Sequence, residues 1–476
     1  MAQEPYRTLA DDEVAEKDRV SYADVGAGKA SVFSSIANLC NAILGAGLLA
    51  LPYGFAQSGW SVAIAMLVLS GAASCFTLHL LTLCGRSAGG AHASFFMLAR
   101  QAFPDAMYWV VDACVILNCF GLACSYLIVF AGLFPTALAD LVNPRSEALP
   151  GPLAQRVVWV TLAVLVVTPL AFQRTLDALR FTSTLGVGFV LYGSVVVLVY
   201  WTGLADACDG NDDDDGSGCV GARVALTTPP SLRPLQTLSI IVFAYTAHAQ
   251  AIGIANEVRE YSQRKMDLIS GASIAICGLL YVLIGFAGYR TFGDAVSSNL
   301  LESFPGRHPA VIVARLGFAA LVSFSYPLMA KPARDSFFSL LENSARPAWR
   351  ALAAPAAEGG GGERLYLAFT SAFLALTWAI AAAVDDLGIV LSLLGATCST
   401  VLAFIMPPVV FLSMHPAPRP SEMLGDAVDE GGAGARVLAV EEAKGLSCKR
   451  AMAKVVLVVG AALIPLCVTS TLLYET

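Results

Sequence analysis

Charge is scarce in this chain. Only 14% of its 476 residues are Asp, Glu, Lys or Arg, where soluble domains carry about 25%. A deficit of that size excludes an ordinary water-facing surface. Short alternating apolar and polar stretches, the mark of a membrane barrel, are also missing. So is an apolar segment near Met1. The first 30 residues are polar and mixed in charge, so no cleaved leader is expected. No paired carboxylates, zinc ligands or activated nucleophile gather in any aqueous loop, and Gly26-Ala27-Gly28-Lys29 lacks the spacing of a phosphate loop. Neither an enzymatic role, nor a cofactor, nor a nucleic-acid partner is expected.

What the chain does have is long apolar runs, with 57% hydrophobic residues overall. A bilayer crossing takes about 20 such residues as a helix, and lipid forces backbone groups to bond within the segment. The lipid bilayer is therefore the expected partner, and the expected fold is an all-α polytopic membrane protein. Eleven spans are predicted, at 32–56, 58–84, 107–138, 156–172, 177–203, 235–257, 266–290, 309–333, 365–384, 387–413 and 451–473. A tail, 1–31, precedes this transmembrane domain of 32–473. Asp112 and Arg315 fall inside spans, where facing lipid would cost each about 2.5–3.5 kcal/mol. They are expected to face protein or water, or to lie near a span end. With the N-terminus in the cytosol, 21 of the 29 Lys and Arg lie on the cytosolic side and six opposite, which satisfies the positive-inside rule.

Three loops stand out. The non-cytosolic loop 204–234 carries Asp206, Asp209 and the run Asp212 to Asp215. It reads as a solvated acidic loop, because it lacks the spaced ligands and distal Glu of a calcium loop. Cys208 and Cys219 flank the run on the oxidising side, where a disulfide and two free thiols are both open readings. The cytosolic loops are 334–364, with four glycines in a row, and 414–450.

The chemistry concentrates in three spans. The first reads Asn38-Leu39-Cys40-Asn41-Ala42-Ile43-Leu44-Gly45-Ala46-Gly47-Leu48, then Leu51-Pro52. Gly costs about 1 kcal/mol and Pro about 3 in a helix interior. One reading is an unwound segment at Gly45 to Gly47, whose freed amides receive a carboxylate. The other is a packing seam of small residues. The sixth span, with Tyr245-Thr246-Ala247-His248 and Gly253, is the second candidate for a broken helix. Spans one and six occupy corresponding positions in a chain built from two inverted five-helix repeats. His248 is read either as a proton relay or as a hydrogen-bonded structural histidine, and Glu257 as a gate or anchor. In span eight, Ser323 and Ser325 stand beside Pro327. They offer oxygens to a cation or bond back to their own helix.

Taken in order, these motifs resemble the amino acid/auxin permease family, within it the sodium-coupled neutral and the vacuolar amino acid transporters. The likeness rests on Asn41-Ala42-Ile43, Gly45-Ala46-Gly47 and Leu51-Pro52; on Phe120-Gly121 with Ser125-Tyr126; and on Phe243, His248 and Glu257. It continues through Gly288-Tyr289, Ala314-Arg315-Leu316, Tyr326-Pro327 and Gly395-Ala396-Thr397. The resemblance implies a LeuT-like 5+5 inverted repeat plus one helix, and cotransport of an amino acid with sodium or protons. It places the substrate carboxylate at Gly45, Ala46, Gly47 and Leu48, and the amino group at Tyr245 and Thr246. It places a cation at Asn41 with Ser323 or Ser325. Family members often carry threonine where this chain has these serines. An amino acid sensor signalling through cytosolic tails is the rival reading; a channel is disfavoured by two broken helices in one chain. Gly47→Leu is expected to abolish uptake while membrane insertion persists; normal uptake by this variant contradicts the broken helix.

Overall fold

The computed structural model describes residues 28–89, 93, 95–102, 108–142, 151–173, 180–204, 224–228, 231–304, 308–342, 349, 361–416 and 433–474. The tail 1–27, the acidic run with Cys208 and Cys219, the glycines 359–360 and residues 417–432 lie outside them.

Helices dominate. In chain order they are α1 (Val32–Ile43), α2 (Gly47–Ser58), α3 (Trp60–Gly89), α4 (Phe95–Ala102), α5 (Tyr108–Val142), α6 (Arg156–Ala171), α7 (Arg180–Trp201), α8 (Arg233–Ala244), α9 (His248–Glu257), α10 (Gln263–Phe292), α11 (Pro309–Glu342), α12 (Gly361–Ala383), α13 (Leu387–Leu394), α14 (Met406–Met414) and α15 (Ala433–Tyr474). Among the described residues the only extended pairing is a single parallel bridge between Ala30 and Val258. Among the described residues, eight helical segments are long and apolar enough to cross a membrane, and α1 with α2, bent by 58°, makes a ninth. Two shorter apolar helices, 156–171 and 186–201, stand where the fourth and fifth spans are predicted.

Local chemistry sets several ends. Ser31 caps α1 by accepting from the Ser34 amide at 3.2 Å, and Ser262 caps α10 through the Lys265 amide at 3.2 Å. Asp386 accepts from the amides of Gly388 and Ile389 at 2.6 and 3.3 Å. Such caps satisfy amides that the first helical turn leaves open. The predicted tenth span is not one regular helix. Between α13 and α14 it widens into π-helical turns at Gly395–Ser399 and Val401–Ile405, with Thr400 Oγ1 donating to the Gly395 carbonyl at 2.6 Å. Apolar periodicity does not reveal a π turn, because the widening is a change of backbone hydrogen bonding and the span stays hydrophobic on average.

Helices α5 and α11 form the most extensive pair in the molecule. The charges predicted to avoid lipid are found inside it. Arg315 is 3% exposed. Its guanidinium donates to Asp140 Oδ2 at 2.9 Å and to the carbonyls of Leu301 and Phe304 at 3.1 and 2.6 Å. It thereby fastens the turn Leu300–Glu302 to both long helices. Asp112, also buried, accepts from Ser339 Oγ at 3.1 Å. Removing one partner of such a buried pair leaves an uncompensated charge and costs about 3–5 kcal/mol. Arg315→Ala is therefore expected to lower the melting temperature of the detergent-solubilised protein sharply; a melting curve matching the unsubstituted chain contradicts the clamp.

Candidate functional site

The first span breaks between Ile43 and Gly47. The Leu44 amide still reaches the Cys40 carbonyl at 2.7 Å, and the Gly45 and Ala46 carbonyls accept from Leu48 and Leu49 at 3.1 and 3.2 Å. The amides of Gly45, Ala46 and Gly47 have no backbone acceptor among the described residues. They form the positive end of α2. The sixth span breaks at Tyr245–Ala247, where the Tyr245 amide bonds Ile241 and the Thr246 amide bonds Phe243. The breaks touch. A Cβ built on Gly47 would lie 3.0 Å from the Ala244 Cβ, so any side chain there pushes α2 off the end of α8. The unwound segment is thus directly followed by a close-packed glycine.

A cavity of about 540 Å³ opens beside the first break, at Leu44 to Ala46, and runs along α1 and α9 as far as Glu257. This falls in the usual range of small-molecule sites, roughly 300–1,000 Å³. Span one contributes Asn38, Asn41, Gly45 and Ala46; α11 contributes Ser325 and apolar side chains such as Phe318. Tyr126 of α5 and Gln250 and Glu257 of α9 complete the polar lining, and among the described residues no Lys or Arg lines it. The far end of α9 is pinned. The Ala30 amide donates to the Glu257 carbonyl and the Arg259 amide to the Ala30 carbonyl, both at 2.9 Å.

The structure thus brings Asn41, Gly45, Ala46 and Ser325 to one cavity. The other predicted residues lie elsewhere. Gly47 and Leu48 are buried in the start of α2. Ser323 is buried and its hydroxyl bonds back to the Ala319 carbonyl at 2.8 Å, although Pro327 removes the amide that would bond the Ser323 carbonyl. Thr246 bonds back to Val242 at 2.7 Å. Tyr245 is buried behind the break, its ring edge-on to Tyr281 with centroids 5.4 Å apart. His248 is fully buried and its Nε2 lies 2.9 Å from Thr77 Oγ1. Thr77 Oγ1 donates to the Ala73 carbonyl at 3.0 Å. These roles assign the proton to Nε2 and leave Nδ1 as an unbonded acceptor among the described residues.

Asn38, Tyr126 and Gln250 are cavity residues that sequence reasoning missed as site residues. Asn38 was findable, since it lies three residues before Asn41 and so shares its helix face. Tyr126 was not, because its role depends on how α5 packs against two other helices.

Residues 28–418 match the family described as transmembrane amino acid transporter protein. The chain is 32% identical over 387 residues to vacuolar amino acid transporter 5 of Schizosaccharomyces pombe, covering 81% of this chain and 85% of that protein. It is 30% identical over 414 residues to vacuolar amino acid transporter 6 of Saccharomyces cerevisiae, covering 79% and 89%.

The cavity map separates the two serines. A polar thiol reagent is expected to modify the Ser325→Cys variant readily and the Ser323→Cys variant slowly, read as labelling rates above the native-cysteine background. Equal rates contradict the map.

Proposed function

This chain belongs to the transmembrane amino acid transporter family, and on that premise we propose that it is a secondary active transporter of neutral amino acids, working by sodium- or proton-coupled alternating access. The observation that carries the reading is the cavity at the junction of two broken helices, walled by free amides and by side-chain oxygens but, among the described residues, by no cationic side chain.

The chemistry follows from that junction. A substrate carboxylate is received by the amides of Gly45 and Ala46, where the α2 dipole supplies the positive charge that no Lys or Arg among the described lining residues provides. The amino group turns toward the carbonyl end of α8, at the backbone of Tyr245 and Thr246. Hard cations take oxygen ligands. The Asn41 and Ser325 side chains line one cavity, and Pro327 leaves the Ser323 carbonyl without its helical donor. That set of oxygens suits sodium. His248 is assigned a structural role on the Thr77 contact, so a coupling proton is carried elsewhere.

The same reading takes the architecture to be eleven spans in a LeuT-like 5+5+1 arrangement. Its support is the nine long spans counted with the bent pair, the two shorter apolar helices and the spacing of the breaks at spans one and six. With the N-terminus cytosolic, the cavity faces the cytosol and the described state is inward-facing. A vacuolar or lysosomal membrane is the proposed location, because the relatives are named as vacuolar transporters; the plasma membrane is the alternative.

The test is uptake of radiolabelled neutral amino acids into proteoliposomes under an imposed sodium gradient in one set and a proton gradient in another. Accumulation driven by one gradient is expected. Substrate binding with no accumulation under either gradient overturns the transporter reading in favour of the sensor.

A further inference from the structure

Behind the cavity wall, α1 and α8 end almost against each other. Ile43 is the last residue of α1 and Ala244 the last of α8. Each helix end carries about half a negative charge on carbonyls that have run out of helical donors. A single group serves both. The Tyr281 hydroxyl of α10 lies 2.7 Å from the Ile43 carbonyl oxygen and 3.0 Å from that of Ala244. Its one proton is shared between two acceptors belonging to different broken spans.

Tyr281 is built into this position. It is 0% exposed. Its ring is backed edge-on by Tyr245, and the Tyr245 hydroxyl in turn sits over the bare backbone of Gly278, 2.6 Å from where a Cβ would stand. The residues directly after Ile43, Leu44 to Ala46, line the cavity. A ligand that moves that segment also moves the Ile43 carbonyl, and the shared hydroxyl passes the displacement to Ala244. Direct packing of Gly47 on Ala244 keeps the two ends in register but supplies no hydrogen-bond donor to either carbonyl.

We propose that Tyr281 is a positioning residue of transport, whose hydroxyl couples the breaks of spans one and six so that they change shape together. The inference rests on the transporter reading only in taking the breaks to be moving parts. It explains why a tyrosine stands at membrane depth where an apolar residue of equal size would pack as well. A phenylalanine there keeps the ring and the contact with Tyr245, and leaves two helix-end carbonyls facing one another with no donor.

The primary readout needs no substrate. Backbone hydrogen exchange is followed by mass spectrometry on the detergent-solubilised full chain, in peptides spanning 43–48 and 244–249. Tyr281→Phe is expected to raise exchange in both peptides together; a rise in only one, or in neither, overturns the proposal. A second variant keeps the test open if Tyr281→Phe does not fold. Gly45 has open space around its Cβ position, so Gly45→Ala stiffens only the first break, and coupling predicts slower exchange at 244–249 as well. Unchanged exchange there overturns the proposal. In proteoliposomes Tyr281→Phe is expected to lower the maximal uptake rate by about tenfold while substrate KM stays within about threefold, the signature of a lost conformational step rather than a lost binding contact. Uptake equal to the unsubstituted chain overturns the inference alone; absence of uptake by the unsubstituted chain overturns the transporter reading and leaves the exchange result to decide this one.

Discussion

A carbonyl at membrane depth must find a donor, because no water is there to supply one. The architecture turns on how that demand is met at two broken helices. Breaking spans one and six exposes amides on one side of the junction and carbonyls on the other. The carbonyl ends are answered by the Tyr281 hydroxyl. The amides of Gly45 and Ala46 are left beside a cavity. The asymmetry is what makes the junction useful. One half of the unsatisfied backbone is closed by the protein, and the other half is left open at the cavity.

The surrounding polar groups divide along the same line. Those far from the junction hold helices together. Arg315 joins α5, α11 and the turn at Leu300–Glu302, and Asp112 meets Ser339 across the same helix pair. At the other end His79 Nδ1 meets Asp267 Oδ1 at 2.7 Å, linking α3 to α10. Glu302 belongs to the first group. Its carboxylate accepts from Asn299 at 2.8 Å, and burial still pushes its pKa above the usual carboxylate range. The cavity, by contrast, is lined by uncharged oxygens, amides and one carboxylate, Glu257. Its apolar wall includes Phe318, Leu321 and Met329.

Much of this was legible in the residues. Low charge and long apolar runs implied a helical membrane protein, and the helices Arg156–Ala171 and Arg180–Trp201 stand at predicted spans despite their modest length. The break in span one was legible because Gly45, Gly47 and Pro52 are each poor helix formers and occur together. The break in span six was fainter, since it rests on Tyr245, Thr246 and His248 rather than on proline. Which polar side chain faces the cavity was less legible. Ser323 and Ser325 are alike in sequence, but two residues on a helix point about 200° apart, so only one enters the cavity. Tyr245 was read as a contact because it sits at the break, and the packing of its ring on Tyr281 depends on α10, more than 30 residues later in the chain. The π turns of span ten left no mark in hydropathy at all.

The most direct test of the account is a cryo-electron microscopy map of the full chain with a saturating neutral amino acid. The account predicts ligand density beside Gly45 and Ala46, its carboxylate on their amides and its side chain toward α11. Ligand density elsewhere in the bundle, with span one continuous through Gly45 to Gly47, would contradict it.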